Sequence, residues 1–285
     1  MSRGVSLHIG LNRVDPAHYK GLDGKGWDGA LTACEFDAND MEKLASGRGF
    51  ETTKLLTTAA TADAILSTIE AVAGDLDRGD VFFVTYSGHG GQVPDRNKED
   101  EPDLSDETWV AYDRQVLDDE LYARWAKFRA GVRILVLSDS CHSGSVTKNI
   151  DAEVPNPVAT RDEADAQSPR YRAMPRDVMI ATYRASEDVY DGIQSSVPTA
   201  PAAEIDATVL LISGCRDDQL SLDGFSNGLF TENLLAVWDG GSWRGPYAAL
   251  HEAIRARMPS KQQPNYMRVG TVDDEFEQQE PFTVG

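Results

Sequence analysis

The chain has 285 residues, of which 41% are hydrophobic and 26% charged, and its formal net charge is −20. This composition fits a soluble globular protein of one large or two small domains and excludes disorder along the whole chain. The negative balance excludes nucleic acid and anionic membrane surfaces as natural partners, since both reward a basic face, and favours basic peptides instead.

Three cysteines, Cys34, Cys141 and Cys215, make no disulfide framework and fit a reducing compartment. The start, "MSRGVSLHIGLN", has no long apolar h-region, and no stretch approaches 18 apolar residues. A cytoplasmic protein without a membrane span is the expectation.

The first strand runs roughly from Gly4 to Leu11. The Gly-rich loop "KGLDGKGWDG" follows, and no dinucleotide site is read from it. "ALTACEFDANDMEKLASGRGF" places Leu31, Cys34, Met41, Leu44 and Ala45 at helical spacing and predicts a helix ending near Gly47 or Gly49. "TTKLLT" is a short strand. "TADAILSTIEAVAGDL" is a helix with Thr61 as N-cap and Ile65, Ile69 and Val72 on one face. "DVFFVTYS" and "VRILVLSDS" are apolar, β-branched runs that predict strands buried on both faces, with the helix "DDELYARWAKFR" leading into the second. "VMIAT" and "ATVLLISG" read as two further strands, and "GLFTENLLAVW" and "PYAALHEAIRARM" as helices. Strands alternating with helices predict βαβ units and a mainly parallel sheet.

Residues 149–206 hold six of the thirteen prolines and many charges. The stretch "VPNPVATRDEADAQSPRYRAMPR" reads as an exposed loop. A single domain spanning 1–285 is expected: a first part over 1–148, an exposed linker over 149–177, and a second part over 178–285.

Two predicted strands end in polar, Gly-rich turns. One reads Ser87-Gly88-His89-Gly90-Gly91, the other Asp139-Ser140-Cys141-His142-Ser143-Gly144. His89 and Cys141 are 52 residues apart, about one βαβ unit, so neighbouring strand ends can bring them together. A thiol near an imidazole is a nucleophile with a base: the ring takes its proton and later protonates a leaving amine. Glycines let a carbonyl approach the backbone, so the N–H groups of Gly90 and Cys141 are candidate oxyanion donors. A zinc site is disfavoured, because no C-x-x-C or H-x-x-x-H partner accompanies the cysteine.

"YSGHGGQVPD" and "DSCHSGS" resemble the His and Cys motifs of metacaspases, the caspase-like cysteine peptidases of clan CD. "ACEFDAND", "DETWVAYD", "LDDELY" and "LLISGCRDDQLSLDG…NGLFTENLL" are similar as well, in order along nearly the whole chain. Ser140 and His142 flank the cysteine in place of the animal-caspase Q-A-C-x-G, which favours the metacaspase branch, of a prokaryotic or simple eukaryotic kind.

The resemblance implies a caspase-hemoglobinase fold: an α/β, three-layer domain with a mainly parallel central sheet flanked by helices, its two parts p20-like and p10-like. It implies a cysteine endopeptidase that cuts after Arg or Lys, with Cys141 as nucleophile and His89 as general acid/base. Asp37, Asp139, Cys34 and Ser87 occupy the positions of an acidic S1 pocket. Asp106, Asp118 and Asp119 match three ligands of an activating Ca²⁺, while Lys148 stands where a fourth carboxylate is expected; no cofactor is needed for the chemistry itself. Protein or peptide substrates with Arg or Lys at P1, an upstream activating protease, self-cleavage at linker basic residues (Lys148, Arg161, Arg170, Arg172, Arg176) and a monomeric state are further expectations. The alternative is a catalytically silent caspase-fold regulatory or interaction module. The presence of both His89 and Cys141 favours the enzyme.

Overall fold

The computed structural model describes residues 2–96, 105–140, 170–197, 204–216, 219–224 and 226–285. Cys141, Lys148 and Arg161 lie outside the described residues. In chain order the elements begin β1 (Gly4–Gly10), α1 (Cys34–Gly47), β2 (Glu51–Leu56), α2 (Ala62–Asp75) and β3 (Val81–Ser87). There follow β4 (Gly90–Pro94), β5 (Ser105–Val110), β6 (Gln115–Leu117), α3 (Asp118–Trp125), β7 (Arg133–Asp139), β8 (Arg170–Tyr171), α4 (Arg176–Ala185) and α5 (Glu187–Ser196). The chain ends with β9 (Thr208–Ser213), β10 (Leu222–Asp223), α6 (Leu229–Trp238), α7 (Tyr247–Arg257), β11 (Asn265–Gly270) and α8 (Asp274–Gln278).

Six strands form the central sheet in the order β11-β9-β7-β3-β1-β2, all parallel except β11. Every residue of β3 is buried. Its alternate side chains serve two cores. Phe82 and Val84 face Ile65, Ile69 and Trp125 of α2 and α3, while Val81 and Phe83 face Met41, Phe230 and Leu250 of α1, α6 and α7. This period-2 division across a sheet covered on both faces makes three layers. Thr61 caps α2 as expected, its side chain accepting from the Ala64 N–H.

The structure departs from sequence expectation in four places. "VMIAT" is not a strand but part of α4, with Val178, Met179, Thr182 and Tyr183 buried at helical spacing. A five-residue apolar run fits either period, and packing on Val14, Tyr19 and Val110 decides for the helix. β4, β5 and β6 form an antiparallel three-stranded sheet, and β11 an antiparallel edge; neither was expected. The end of the supposedly exposed linker enters the fold: Arg172 is 0% exposed and Met174 2%. Three carboxylates hold the first, and the apolar cluster around Tyr19 holds the second.

Candidate active site

β3 and β7 lie side by side, in register at Ser87↔Asp139. His89 follows Ser87 by two residues, and Cys141 follows Asp139 by two. The topology therefore delivers both motifs to the carboxyl ends of adjacent parallel strands, where α/β sheets place their chemistry. Up to the residue before Cys141 the strand is fixed. The buried Ser140 hydroxyl is 2.9 Å from the Ser138 hydroxyl, and the Cys215 thiol donates to the Ser140 carbonyl at 3.3 Å.

His89 is buried and held from several directions. Its carbonyl accepts from Tyr86 Oη at 2.7 Å and from the Val110 N–H at 3.0 Å. Its ring lies 4.8 Å from that of Trp27. Nε2 is 2.9 Å from the Gly29 carbonyl, which can only accept, so Nε2 carries the hydrogen. Nδ1 is then the basic nitrogen, and it has no hydrogen-bond partner among the described residues. Burial lowers the ring's pKa to about 4, keeping it neutral and able to take a proton.

The orienting group is thus a backbone carbonyl in the Gly-rich loop. Gly24-Lys25-Gly26-Trp27-Asp28-Gly29 has G-x-G-x-x-G spacing, yet it does not open a helix directly after a strand and so lacks the dinucleotide context. Gly29 has φ +53°, and a Cβ there would come within 3.1 Å of the His89 ring. Sequence reading missed this role, since a carbonyl has no side-chain signature.

Asp37, Ser87, Asp139 and Cys34 do come together, as expected of a pocket. Asp37 Oδ2 accepts from Ser87 Oγ at 2.7 Å, and Asp37 Oδ1 from the Gly228 N–H at 3.0 Å. Asp139 accepts from Ser221 Oγ at 2.7 Å and from Thr231 Oγ1 at 2.9 Å. Burial pushes the Cys34 thiol up to about 12, so it is an inert wall and not a second nucleophile.

Asp223 is the pocket acid that sequence reading missed. It accepts from the Thr32 N–H at 2.8 Å and the Ala33 N–H at 3.3 Å, at the start of α1. Asp37 and Asp139 accept from backbone N–H groups at the start of α6. All three negative charges therefore sit at positive ends of helices. "LSLDG" carried the signal, but an acid in a loop after a strand looks like any cap.

The pocket is filled. The Arg172 guanidinium lies 2.8 Å from Asp37, 3.0 Å from Asp139 and 3.1 Å from Asp223. A Cβ at Gly228 would fall 2.5 Å from the guanidinium, so glycine is required behind it. Gly224-Phe225-Ser226-Asn227-Gly228 has the letters of a hydrolase nucleophile elbow, G-x-S-x-G, but Ser226 is exposed, and Asn227 and Gly228 serve Asp37. Burial pushes the Asp37 carboxyl up to about 6, with help from Asp139 and against the pull of Arg172. Three carboxylates around one cation leave an excess of negative charge. The Gly90 N–H, the expected oxyanion donor, gives its hydrogen to the Arg172 carbonyl at 2.9 Å.

The expected calcium ligands Asp106, Asp118 and Asp119 sit on β5 and at the start of α3. Burial, together with Glu107, Asp119 and Asp106, holds the Asp118 carboxyl well above the usual range. Asp106 accepts from Gln194 Nε2 at 2.7 Å. Among the described residues no three His, Cys, Asp or Glu side chains converge to hold a metal ion. No chemical step is derived through a metal at these residues.

Comparison with known proteins agrees with this arrangement. A family model described as "Caspase domain", Peptidase_C14, matches residues 14–276. Metacaspase-1 of Saccharomyces cerevisiae (strain S288c) is 27% identical over 253 residues, covering 79% of this chain and 56% of that protein. Metacaspase-1 of Candida albicans is 29% identical, covering 68% and 50%. The chain thus spans about half the length of these curated relatives. The crystal structure of protein GSU0716 from Geobacter sulfurreducens has a TM-score of 0.86 and 49% identity, covering 99% of both chains. Caspase-1 from Spodoptera frugiperda shares the fold, with a TM-score of 0.54 at 14% identity, covering 94% of this chain and 86% of that one.

Proposed function

The chain belongs to the caspase-domain family, Peptidase_C14, and from that premise we propose that it is a cysteine endopeptidase that cuts peptide bonds after arginine or lysine. The observation that carries the specificity is a guanidinium seated among Asp37, Asp139 and Asp223 while the carbonyl of the same residue meets the Gly90 N–H. A P1 arginine in that seat presents its carbonyl to an oxyanion donor.

The chemistry follows from the residues. Cys141 gives its proton to His89 Nδ1, and its sulfur adds to the P1 carbonyl carbon. The oxyanion accepts from the Gly90 N–H. The carbon–nitrogen bond breaks as His89 returns the proton to the leaving amine. Water, deprotonated by the same ring, then hydrolyses the thioester and frees the P1 carboxylate and the thiol. The Gly29 carbonyl keeps the hydrogen on Nε2 throughout, leaving Nδ1 to cycle.

Arginine is favoured over lysine. Nη1 and Nη2 of Arg172 address different carboxylates, Asp139 on one side and Asp37 with Asp223 on the other. One ammonium nitrogen cannot span them. A P1-varied fluorogenic peptide panel tests the proposal: Arg should exceed Lys, Asp should be inert, and Cys141→Ala should remove all turnover. Cleavage after Asp in preference to Arg would overturn it. The same specificity, turned on the chain itself, makes Arg170, Arg172 and Arg176 cut sites. Intact mass of the chain beside Cys141→Ala should show fragments in the first alone.

A further inference from the structure

A buried ion pair explains why a guanidinium sits between carboxylates. It does not explain the backbone on either side of it. Arg170 and Tyr171, as β8, pair antiparallel with β10 at Arg170↔Asp223 and Tyr171↔Leu222. The Arg172 N–H donates to the Ser221 carbonyl at 2.9 Å, continuing that ladder. The Arg172 carbonyl accepts from the Gly90 N–H at 2.9 Å, and beyond it the Met174 N–H donates to the Gly90 carbonyl at 2.9 Å.

The chain thus crosses the site as an extended peptide. It pairs with a strand before the arginine, fills the acidic pocket at the arginine, and meets the oxyanion donor at the arginine's carbonyl. It then continues past the buried His89, whose protonated form the Ala173 backbone also favours. Side chain and backbone report the same register independently.

We propose that residues 170–174 are a resident pseudosubstrate: Arg172 occupies the P1 position and keeps basic peptides out of the site. This rests on the reading of the cleft as a site for P1 arginine. The occluder has an anchor on one side. Met174 is 2% exposed in a cluster with Val14, Tyr19 and Val178, and α4 begins four residues after Arg172. So short a tether holds Arg172 at a high effective concentration, which an external peptide must overcome. Any event that separates Arg172 from that anchor, a cut at Arg172–Ala173 included, leaves it tethered only through the long segment back to Ser140 and lowers that concentration.

The test is binding in the Cys141→Ala background, where turnover cannot interfere. The probe is fluorescein-Arg-Tyr-Arg-amide, the chain's own sequence up to the pocket, with the Arg-Tyr-Gln amide as control. Cys141→Ala/Arg172→Gln should bind the arginine probe at least tenfold more tightly than Cys141→Ala alone. Arg172→Lys, which keeps a cation in the pocket and so protects the fold, should give an intermediate gain of at least threefold. Equal affinity across the three proteins, or no binding to any, overturns the proposal. Hydrolysis of Arg peptides is measured separately with Cys141 present. Turnover without an affinity difference refutes the occluder and spares the peptidase reading; an affinity difference without turnover by any form upholds the occluder and refutes the peptidase.

Discussion

Two regions of this molecule collect carboxylates, and they handle them differently. At the carboxyl ends of β3 and β7, Asp37, Asp139 and Asp223 surround the Arg172 guanidinium and accept from hydroxyls and the N–H groups that open α1 and α6. At β5 and the start of α3, Asp118 lies near Asp106, Glu107 and Asp119, and its carboxyl is driven well up. In the first cluster a cation and oriented donors work against desolvation and hold the Asp37 carboxyl to about 6. The second is built so that one member favours its proton. Crowded acids alone therefore do not identify a cation site; what they are given to accept from does.

The largest effect that can break this contrast is loss of a pocket acid. Asp139→Asn puts an amide nitrogen among donors that need an acceptor, and Asp37→Asn does the same toward Ser87 and Gly228. Losing a charged partner in a buried site costs roughly 2–5 kcal/mol, so kcat/KM for a P1-Arg peptide should fall at least about thirtyfold in either variant. Retention of more than a tenth of the activity would show that the pocket does not read the P1 cation through these carboxylates.

The next effect is on pH. The Asp37 carboxyl sits at about 6 with Arg172 beside it, and a guanidinium lowers it. Binding an external arginine to Arg172→Gln therefore expels a proton. Since the free pocket holds more protons than the bound one, affinity must rise with pH, by up to tenfold per unit, and flatten above the free pocket's pKa. Fluorescence titration of the arginine probe from pH 5 to 8 checks this in Cys141→Ala/Arg172→Gln. A flat profile, the same as that of the added Asp37→Asn, would mean that Asp37 does not titrate with occupancy.

Much of this was legible in the sequence because strands and motifs have local signatures. The apolar run "VFFVTYS" dictated a strand buried on both faces, and its pairing with "RILVLSD" brought Ser87 level with Asp139. Asp37 was legible from "ACEFDAND" by resemblance. What was not legible depended on contacts between distant segments. Asp223 reaches α1 across 190 residues or more, Gly29 meets His89 across 60, and Arg172 reaches Asp37 across 135. The linker's polar composition predicted exposure along its whole length. Composition averages over a segment, whereas a single arginine is buried by the three acids it finds.

A smaller effect, opposite in sign, belongs to the second cluster. A carboxyl whose pKa is raised on folding makes the folded state bind protons more tightly. That contribution favours folding at low pH and is lost as pH rises through the folded value. Asp118→Asn removes the charge while keeping an oxygen for the Asp119 N–H, now 3.0 Å away. It should raise the melting temperature at pH 8 by roughly 2 °C or more, since a tenfold difference in proton affinity between folded and unfolded chain is worth about 1.4 kcal/mol, and give no gain at pH 4. Asp139→Asn should lower it at the same pH. Two substitutions of the same kind with opposite outcomes would sharpen the comparison; a shared sign would break it.

The smallest effect expected is that of removing divalent metal. Ca²⁺ requires six to eight oxygens. In this chain a lysine, Lys148, stands where the family resemblance calls for a fourth acid. Hydrolysis of a P1-Arg peptide in millimolar EDTA should therefore stay within about twofold of that in millimolar Ca²⁺. A tenfold loss in EDTA, restored by Ca²⁺ but not by Mg²⁺, would reverse the argument. The second cluster would then be a cation site like the first, differing only in where its cation comes from: solvent, where the acidic pocket draws on Arg172 of its own chain.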